Sequence, residues 1–161
     1  MKVLVFTNMY PYEGAPSYGI FVKDQVDALR RERVKVDVLF INARCNKLSY
    51  ISGIIQSIRR CRRNEYDLIH AQHTFCAAIA LLQRKTPVIL TFHEGEASAT
   101  FKMRLREIIR KPYKFLAYSF NLKKLIIKLI DEIIFVARHQ KNLFVTNKGV
   151  VIPCGIDLSL F

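Results

Sequence analysis

Short runs of apolar, mostly β-branched residues alternate along the chain with segments whose apolar residues recur at helical spacing. The clearest runs are KVLVFT, VKVDVLFI, PVILTF and EIIFVA, and DLIHA and GVVIP are weaker examples. Such runs are typical of buried strands, whereas the i, i+4, i+7 spacing of Val22, Val26 and Leu29 is typical of an amphipathic helix. The pattern predicts strands and helices in alternation.

This alternation predicts a Rossmann-like, doubly wound α/β domain, because parallel strands need crossover connections and helices then cover both faces of the sheet. We expect a mostly parallel sheet within residues 1–152. The predicted strands are 2–7, 34–41, 67–71, 88–92, 132–136 and 149–152. The predicted helices are 19–32, 51–63, 74–84 and 138–145, with a long helical region at 98–130 interrupted by Pro112.

Composition limits the class of protein further. A chain of 161 residues fits one domain, and its four cysteines form no C-x-x-C pair, which argues against a zinc site and a thioredoxin-like motif. The N-terminal MKVLVFTNMY is better explained as a strand than as a signal peptide, and no stretch has the length and apolar character of a membrane span. We expect a cytoplasmic protein.

The net charge of +13 favours anionic partners. Nine basic residues and the single acid Glu107 lie between positions 102 and 128, among aromatic and apolar residues. That mixture suits either a helix on an anionic membrane surface or a core-facing helix with a solvated basic face. The candidate membrane contacts are Arg110, Lys111, Lys114, Lys123 and Lys124. No nucleic-acid-binding module accompanies the charge, so nucleic acid is not an expected partner.

Ligands of doubly wound sheets bind beyond the carboxyl ends of the strands. All four histidines of this sequence fall at or just after a predicted strand end: His70, His73, His93 and His139. A histidine after the fourth strand can relay a proton or bond a sugar hydroxyl, or it can simply bond locally. His70 and His73 lack a clear third metal ligand, so no metal site is predicted.

The loop after the first strand carries Gly14 and Gly19 and runs into a helix. A glycine-rich turn at a helix N-terminus can bind phosphate through unpaired N–H groups, although the same glycines can serve turns only. The loop is neither a dinucleotide-binding G-x-G-x-x-G nor a P-loop.

Three stretches, in order, resemble the N-terminal domain of family 4 retaining glycosyltransferases, enzymes with the GT-B fold. YPYEGAPSYGIFVKDQVDALRRERVKVDVL is similar to the first loop, helix and second strand. YDLIHAQHTFCAAIALLQRKTPVILTFHEGE is similar to the third and fourth strands with the Thr-x-His-Gly motif. DEIIFVARHQKNLF and VVIPCGIDLSLF are similar to the fifth strand and the Ile-Pro-Asn-Gly-Val-Asp segment.

The resemblance implies transfer of a sugar from a nucleotide-sugar donor to a glycan or lipid-linked acceptor, with retention of configuration and without a cofactor or metal. It implies that His93 lies beside the transferred sugar. The residues that it places at the donor diphosphate are Gly14, Ser17 and Gly19, and those at the acceptor are Tyr18, His70, His73 and Glu94. Lipid-linked acceptors would favour peripheral attachment to the cytoplasmic face of a membrane.

The resemblance also implies that the enzyme has two domains with different roles. Residues 1–152 would be the N-terminal domain, residues 153–161 would begin the connection, and the C-terminal donor-binding domain would be absent, which leaves this half inactive alone. The sequence departs from the family pattern at Glu94, Ala137 and Cys154, where Gly, Ser and Asn are usual. A different interpretation is a non-enzymatic basic α/β module that binds an anionic membrane or another polyanion.

Overall fold

The computed structural model describes residues 1–42, 49–63, 65–93, 120–144 and 146–155. Strands and helices alternate along these ranges as the sequence pattern predicts. The strands are β1 (Lys2–Thr7), β2 (Lys35–Phe40), β3 (Leu68–Ala71), β4 (Val88–Phe92), β5 (Glu132–Phe135) and β6 (Val150–Val151). The helices are α1 (Ile20–Arg31), α2 (Ser49–Arg62), α3 (Thr74–Ala80), α4 (Phe120–Leu129) and α5 (Arg138–Phe144).

The six strands form one sheet in the order β2-β1-β3-β4-β5-β6, and every neighbouring pair is parallel. The predicted Rossmann-like α/β fold is confirmed. β1 lies inside the sheet, and its residues 3–7 are all buried. This burial explains why the strand is an almost unbroken apolar run rather than an alternating one.

Two hydrophobic clusters cover the two faces of the sheet. On one face, alternate strand residues such as Leu4, Leu90 and Phe135 pack against α2, α3, α4 and α5. On the other face, Val3 and Val5 pack against α1. Side chains of a strand alternate between faces, so β1 contributes Leu4 and Phe6 to the first cluster and Val3 and Val5 to the second.

The strand order fixes where a ligand crevice can form. The chain leaves β1 toward β2 on one side, then crosses to β3 on the other side of β1. The connections after β1 and β3 therefore diverge, which opens a crevice at the carboxyl ends of these strands. We call this side of the sheet the carboxyl edge, and the opposite side, where α3 and α4 lead back into strands, the amino edge.

Helix α3 ends at Ala80, four residues before its predicted end. The side chain of Gln83 explains the early stop, because its Oε1 accepts the backbone N–H groups of Lys85 and Thr86 at 2.7 and 2.8 Å. Arg84, which lies between Gln83 and Lys85, has a positive φ of 54°. A side chain that replaces the helical hydrogen-bond partners favours a turn over another helical turn.

Several sequence predictions fall outside the described residues. They are the part of the 98–130 helical region before residue 120, the site residue Glu94, the basic residues Arg110, Lys111 and Lys114, and the end of the 153–161 connection beyond Gly155.

Candidate active site at the carboxyl edge

The loop that follows β1 is held by its own hydrogen bonds. Thr7 Oγ1 donates to the carbonyl of Met9 at 2.8 Å and accepts the Met9 N–H at 3.0 Å. Further along, Tyr12 and Ala15 form an isolated antiparallel bridge, with Ala15 N–H donating to the Tyr12 carbonyl at 2.9 Å. Gly14 lies inside this turn, exposed, which agrees with the interpretation that it serves a turn.

Gly19 joins this loop to α1 and needs to be glycine for steric reasons. Its φ is +69°, in the left-handed region, and a Cβ placed on it would lie 2.5 Å from the backbone carbon of Met9 and 2.6 Å from its carbonyl oxygen. It is the N-cap of α1 and supplies no side-chain cap, and the first turn of the helix has no acidic residue. The first turn of α1 thus carries backbone N–H groups close to the loop, at the carboxyl edge.

His93 follows β4 and is held on two sides. Its Nε2 lies 3.0 Å from Oε1 of Gln72. Its ring packs on Phe21 of α1, with ring centroids 4.6 Å apart and planes inclined by 57°. One contact comes from the end of β3 and the other from α1, so the imidazole is fixed where the first and third connections diverge.

Gln72 is the centre of a buried polar cluster. Its Nε2 donates to Oε1 of Gln25 at 2.6 Å and lies 3.2 Å from Nε2 of His70. His70 Nε2 in turn lies 2.7 Å from the hydroxyl of Thr91. Gln72 and Thr91 are almost wholly buried. The cluster joins β3, β4 and α1 by side-chain hydrogen bonds, and buried polar groups paired in this way fix one arrangement of the core.

Both histidines of this cluster are neutral at neutral pH. Burial lowers the pKa of His70 to about 4, with a smaller contribution from His93. Burial also lowers the pKa of His93 to about 4, with a smaller contribution from His73. A neutral imidazole has one donor and one acceptor nitrogen, so His93 can bond a hydroxyl group without adding charge to the site.

The structure also describes His73, Tyr18 and Ser17 among the predicted site residues. His73 is half-buried and is the N-cap of α3, where its Nδ1 accepts the N–H of Phe75 at 3.1 Å. Tyr18 is half-buried and donates its hydroxyl hydrogen to the carbonyl of Asn8 at 3.2 Å. Ser17 is exposed on the loop. His70 is only 3% exposed, so it supports the site from inside the core rather than lining its surface.

A groove of about 700 Å³ is lined by residues of α1, by residues at the ends of β4 and β5, and by the segment that follows β6. Phe21, His93, Ile134 and Ile152 are among its lining residues. Cys154, one of the three residues that depart from the family pattern, also lines the groove and is exposed. The groove is therefore a mixed apolar and polar surface with the candidate catalytic histidine in its lining.

The two described lysines among the candidate membrane contacts behave differently. Lys124 is exposed, but Lys123 is 1% exposed, so the expectation that Lys123 contacts a membrane does not fit its position. Lys123 lies on the same helical face as Ile126, Ile127 and Ile130, which pack into the core. Spacing of i, i+3, i+4 and i+7 places it on the buried side of α4.

The two histidines considered as metal ligands are used otherwise, one in the buried cluster and one as a helix cap. Within the described ranges no group of three or more His, Cys, Asp or Glu side chains could hold a metal ion. In the same ranges no helix has both the length and the apolar character needed to cross a membrane.

Sequence reasoning missed Gln25, Gln72 and Thr91. A signal was present for Gln25, which shares the buried face of α1 with Val22 and Val26 at the spacing i, i+3, i+4. A polar residue on such a face needs a buried partner, but the sequence does not say which one. Gln72 stands 47 residues away along the chain.

The parallel sheet with helices on both faces and the polar cluster at its carboxyl edge define a class of protein. It is an α/β domain with a crevice at its strand ends. A family model described as Glycosyltransferase Family 4 matches residues 2–160. The chain therefore belongs to glycosyltransferase family 4, as its motifs indicated. Membership of the family makes it a transferase domain whose partners are, in general terms, a sugar donor and an acceptor. No curated protein matches the chain in a sequence search.

Proposed function

We propose that this domain forms the acceptor side of a retaining glycosyltransferase, which moves a sugar from a nucleotide-sugar donor to a glycan or lipid-linked acceptor. The observation that carries the proposal is the family match over residues 2–160, together with a histidine fixed at the switch point of the sheet. Membership of the family supplies the reaction class. The position of His93 at the carboxyl edge supports the choice of this residue as the one beside the sugar.

In this proposal His93 lies beside the transferred sugar and bonds one of its hydroxyl groups. The loop residues Gly14, Ser17 and Gly19 approach the donor diphosphate at the N-terminal end of α1. The N–H groups of Ile20 and Val22 donate to the carbonyls of Ser17 and Gly19, so the helix dipole rather than these two groups would attract the anion. The positive end of a helix favours an anion, and the absence of an acidic residue from this first turn leaves that preference unopposed.

The acceptor would bind at Tyr18 and His73, and the family resemblance adds Glu94 to these acceptor residues. His70 would act on it indirectly, through Gln72. Since His93 is neutral, the charge that develops on the leaving diphosphate would be offset by helix N-termini and by basic side chains, most of them from a second, donor-binding domain. Neither a metal nor a redox cofactor takes part in the proposed reaction.

A transfer assay tests whether the chain needs that second domain. The 161 residues are incubated with labelled nucleotide sugars, for example UDP-glucose and GDP-mannose, and with glycan or lipid acceptors. We expect negligible transfer by these residues alone. Robust transfer that His93→Ala abolishes and His139→Ala does not would contradict the proposed dependence on a second domain, but it would support the role of His93. His139 is exposed on α5 and makes a matched control.

A surface at the amino edge favours a second function, attachment to an anionic membrane. Leu82, Leu125 and Leu129 are 59%, 50% and 60% exposed and line one cavity of about 710 Å³. Four exposed basic residues accompany them: Arg84, Lys85, Lys124 and Lys128. The one acid in the cavity lining, Asp131, accepts the N–H of Val88 at 2.7 Å. We call these three leucines and four basic residues the leucine surface.

The leucine surface has the chemistry of a membrane contact. Exposed leucines can enter the acyl boundary, and each basic residue near an anionic bilayer contributes about 1 kcal/mol. The surface lies opposite the carboxyl edge, so attachment through it would leave the crevice open to the solvent. Membrane attachment is therefore compatible with the transferase function, and it is also the function that a non-enzymatic basic module would have.

Vesicle co-sedimentation tests this surface. We expect binding to vesicles that contain phosphatidylserine, weaker binding to pure phosphatidylcholine, and at least a tenfold loss of affinity in Leu125→Ser/Leu129→Ser. The matched control is Ile51→Ser/Ile55→Ser, because these isoleucines are 56% and 46% exposed on α2.

The charge is tested separately with Lys124→Glu/Lys128→Glu, because Lys123 is buried and its replacement would disturb the core. We expect this variant to lose the preference for phosphatidylserine over pure phosphatidylcholine. Equal loss of binding in the leucine pair and the isoleucine pair would overturn the assignment to the leucine surface, and so would the absence of binding to either lipid.

A further inference from the structure

The side-chain amide of Gln72 contacts the Nε2 atoms of two histidines, one through its nitrogen and the other through its oxygen. Its nitrogen lies 3.2 Å from His70 Nε2, and its oxygen lies 3.0 Å from His93 Nε2. An amide nitrogen only donates hydrogen bonds, and an amide oxygen only accepts them. His70 Nε2 must therefore accept, and His93 Nε2 must donate. The two rings consequently carry their protons on different nitrogens.

The neighbours of Gln72 set the direction of its amide. Its nitrogen donates to Gln25 Oε1 at 2.6 Å, so a rotation of Gln72 alone would bring two carbonyl oxygens together at that distance. On the His70 side, the Thr91 hydroxyl lies 2.7 Å from the same Nε2 and can donate to it. With the amides of Gln72 and Gln25 oriented in this way, His70 carries its proton on Nδ1.

We infer that Gln72 is a positioning residue that holds His93 in the tautomer with its proton on Nε2 and leaves Nδ1 as a hydrogen-bond acceptor. His93 is neutral in the fold, because burial lowers the pKa of its imidazole. Phe21 packs on the ring and limits its rotation. The acceptor nitrogen can then receive a hydroxyl hydrogen of a sugar; this last step rests on the proposed function, whereas the tautomer does not.

The tautomer has a consequence for the chemistry at His93. With Nε2–H engaged by Gln72, His93 can accept a hydrogen bond from a hydroxyl group at Nδ1, but it cannot donate one there while it is neutral. Ligand groups that only accept, such as phosphate oxygens, are therefore disfavoured at Nδ1. Gln72 thus selects a hydroxyl-bearing part of a ligand for this position.

Long-range ¹H–¹⁵N correlation spectra of the imidazole rings test the inference directly. The chain has four histidines, which single His→Gln variants assign. Near neutral pH we expect the proton of His93 on Nε2 and that of His70 on Nδ1. The reverse pair would mean that the amides of Gln72 and Gln25 are both rotated, and it would overturn the assignment for His93. Two histidines with the same tautomer would overturn the role of Gln72 itself.

A variant of Gln72 distinguishes a role in positioning His93 from a role in packing alone. Gln72→Met keeps a side chain of similar length but removes the acceptor, so we expect His93 to lose its single tautomer and show signals of both. The control is Gln56→Met, since Gln56 is exposed on α2, and it should leave the imidazole signals unchanged. A single Nε2–H tautomer in a folded Gln72→Met variant would overturn the inference. Should that variant not fold, the wild-type tautomers still decide the matter.

A titration with UDP-glucose and GDP-mannose keeps the two claims apart. Movement of the His93 Nδ1 signal, lost in Gln72→Met, would support the hydroxyl contact as well as the positioning. Binding that leaves Nδ1 unmoved while the wild-type tautomers are as expected would count against the sugar contact of the proposed function, and not against the role of Gln72.

Discussion

The buried His70 and the partly buried His93 should make the stability of this domain depend on pH in a defined window. The pKa values of His70 and His93 are about 4 in the fold, against an ordinary value of 6.5. Between these values the unfolded chain binds protons that the folded chain excludes. Folding stability is therefore fully present above about pH 6.5 and is lost as the pH falls toward 4.

The size of this loss follows from the interval between the two pKa values. Each unit of that interval corresponds to ~1.4 kcal/mol, so each histidine accounts for about 3 kcal/mol when the pH falls from 6.5 to 4. Inside the window, each histidine adds ~1.4 kcal/mol per pH unit to the slope. Hydrogen bonds to Lys23 and Tyr66 lower the pKa values of the carboxyl groups of Asp27 and Asp37, respectively. The folding stability that these two carboxyl groups contribute is therefore lost only at more acid pH.

Urea unfolding at several pH values between 5 and 6.5 measures this slope. We expect His93→Gln to lower the slope by the equivalent of about one proton, or ~1.4 kcal/mol per pH unit, relative to the wild type. His139→Gln, at an exposed position, should leave the slope close to that of the wild type. A slope that is the same in His93→Gln and in the wild type would refute the reasoning, because it would mean that His93 is protonated as readily in the fold as in the unfolded chain.

Two substitutions test the supports of the site. Gly19→Ala should lower the free energy of unfolding by about 2 kcal/mol or more, since it combines a positive φ with a close approach to the backbone of Met9, whereas Gly14→Ala in the exposed turn should cost less. Equal costs in thermal melts would contradict this account of the loop. Phe135→Ala should cost about 3–5 kcal/mol, because the ring is buried and stacks 5.6 Å from that of Phe92, while Leu143→Ala at an exposed position should cost far less. A small loss for Phe135→Ala in urea unfolding would show that the core closes around the gap.

The strands were predictable because the physics that forms them is local. β1 and β4 begin and end where the apolar runs predict, and the other strands differ from prediction by one residue at one or both ends. A strand that is buried on both faces needs an unbroken apolar run, which can be read directly from the sequence. Helix α3 was predicted too long because its end depends on the side chain of Gln83, which binds backbone groups beyond the helix.

The site was predictable in its position but not in its contacts. Histidines at or just after the ends of β3 and β4 indicated the carboxyl edge, and there Gln72 links His70 to His93. The linking residue, Gln72, could not be identified, because its partner Gln25 lies on another element and only the folded chain brings them together. Lys123 was assigned to the surface by its charge, although its helical phase with Ile126, Ile127 and Ile130 indicated the core.

The central claim is that the carboxyl edge of this family 4 domain binds the sugar and diphosphate of a nucleotide-sugar donor. Chemical-shift mapping of the amide groups with UDP-glucose and GDP-mannose, in wild type and in His93→Ala, tests it most directly. The account predicts shifts at His93, Gln72 and the loop before α1, weakened by His93→Ala. Shifts confined to the amino edge around Leu82 and Leu125, or binding that His93→Ala leaves unchanged, would contradict it.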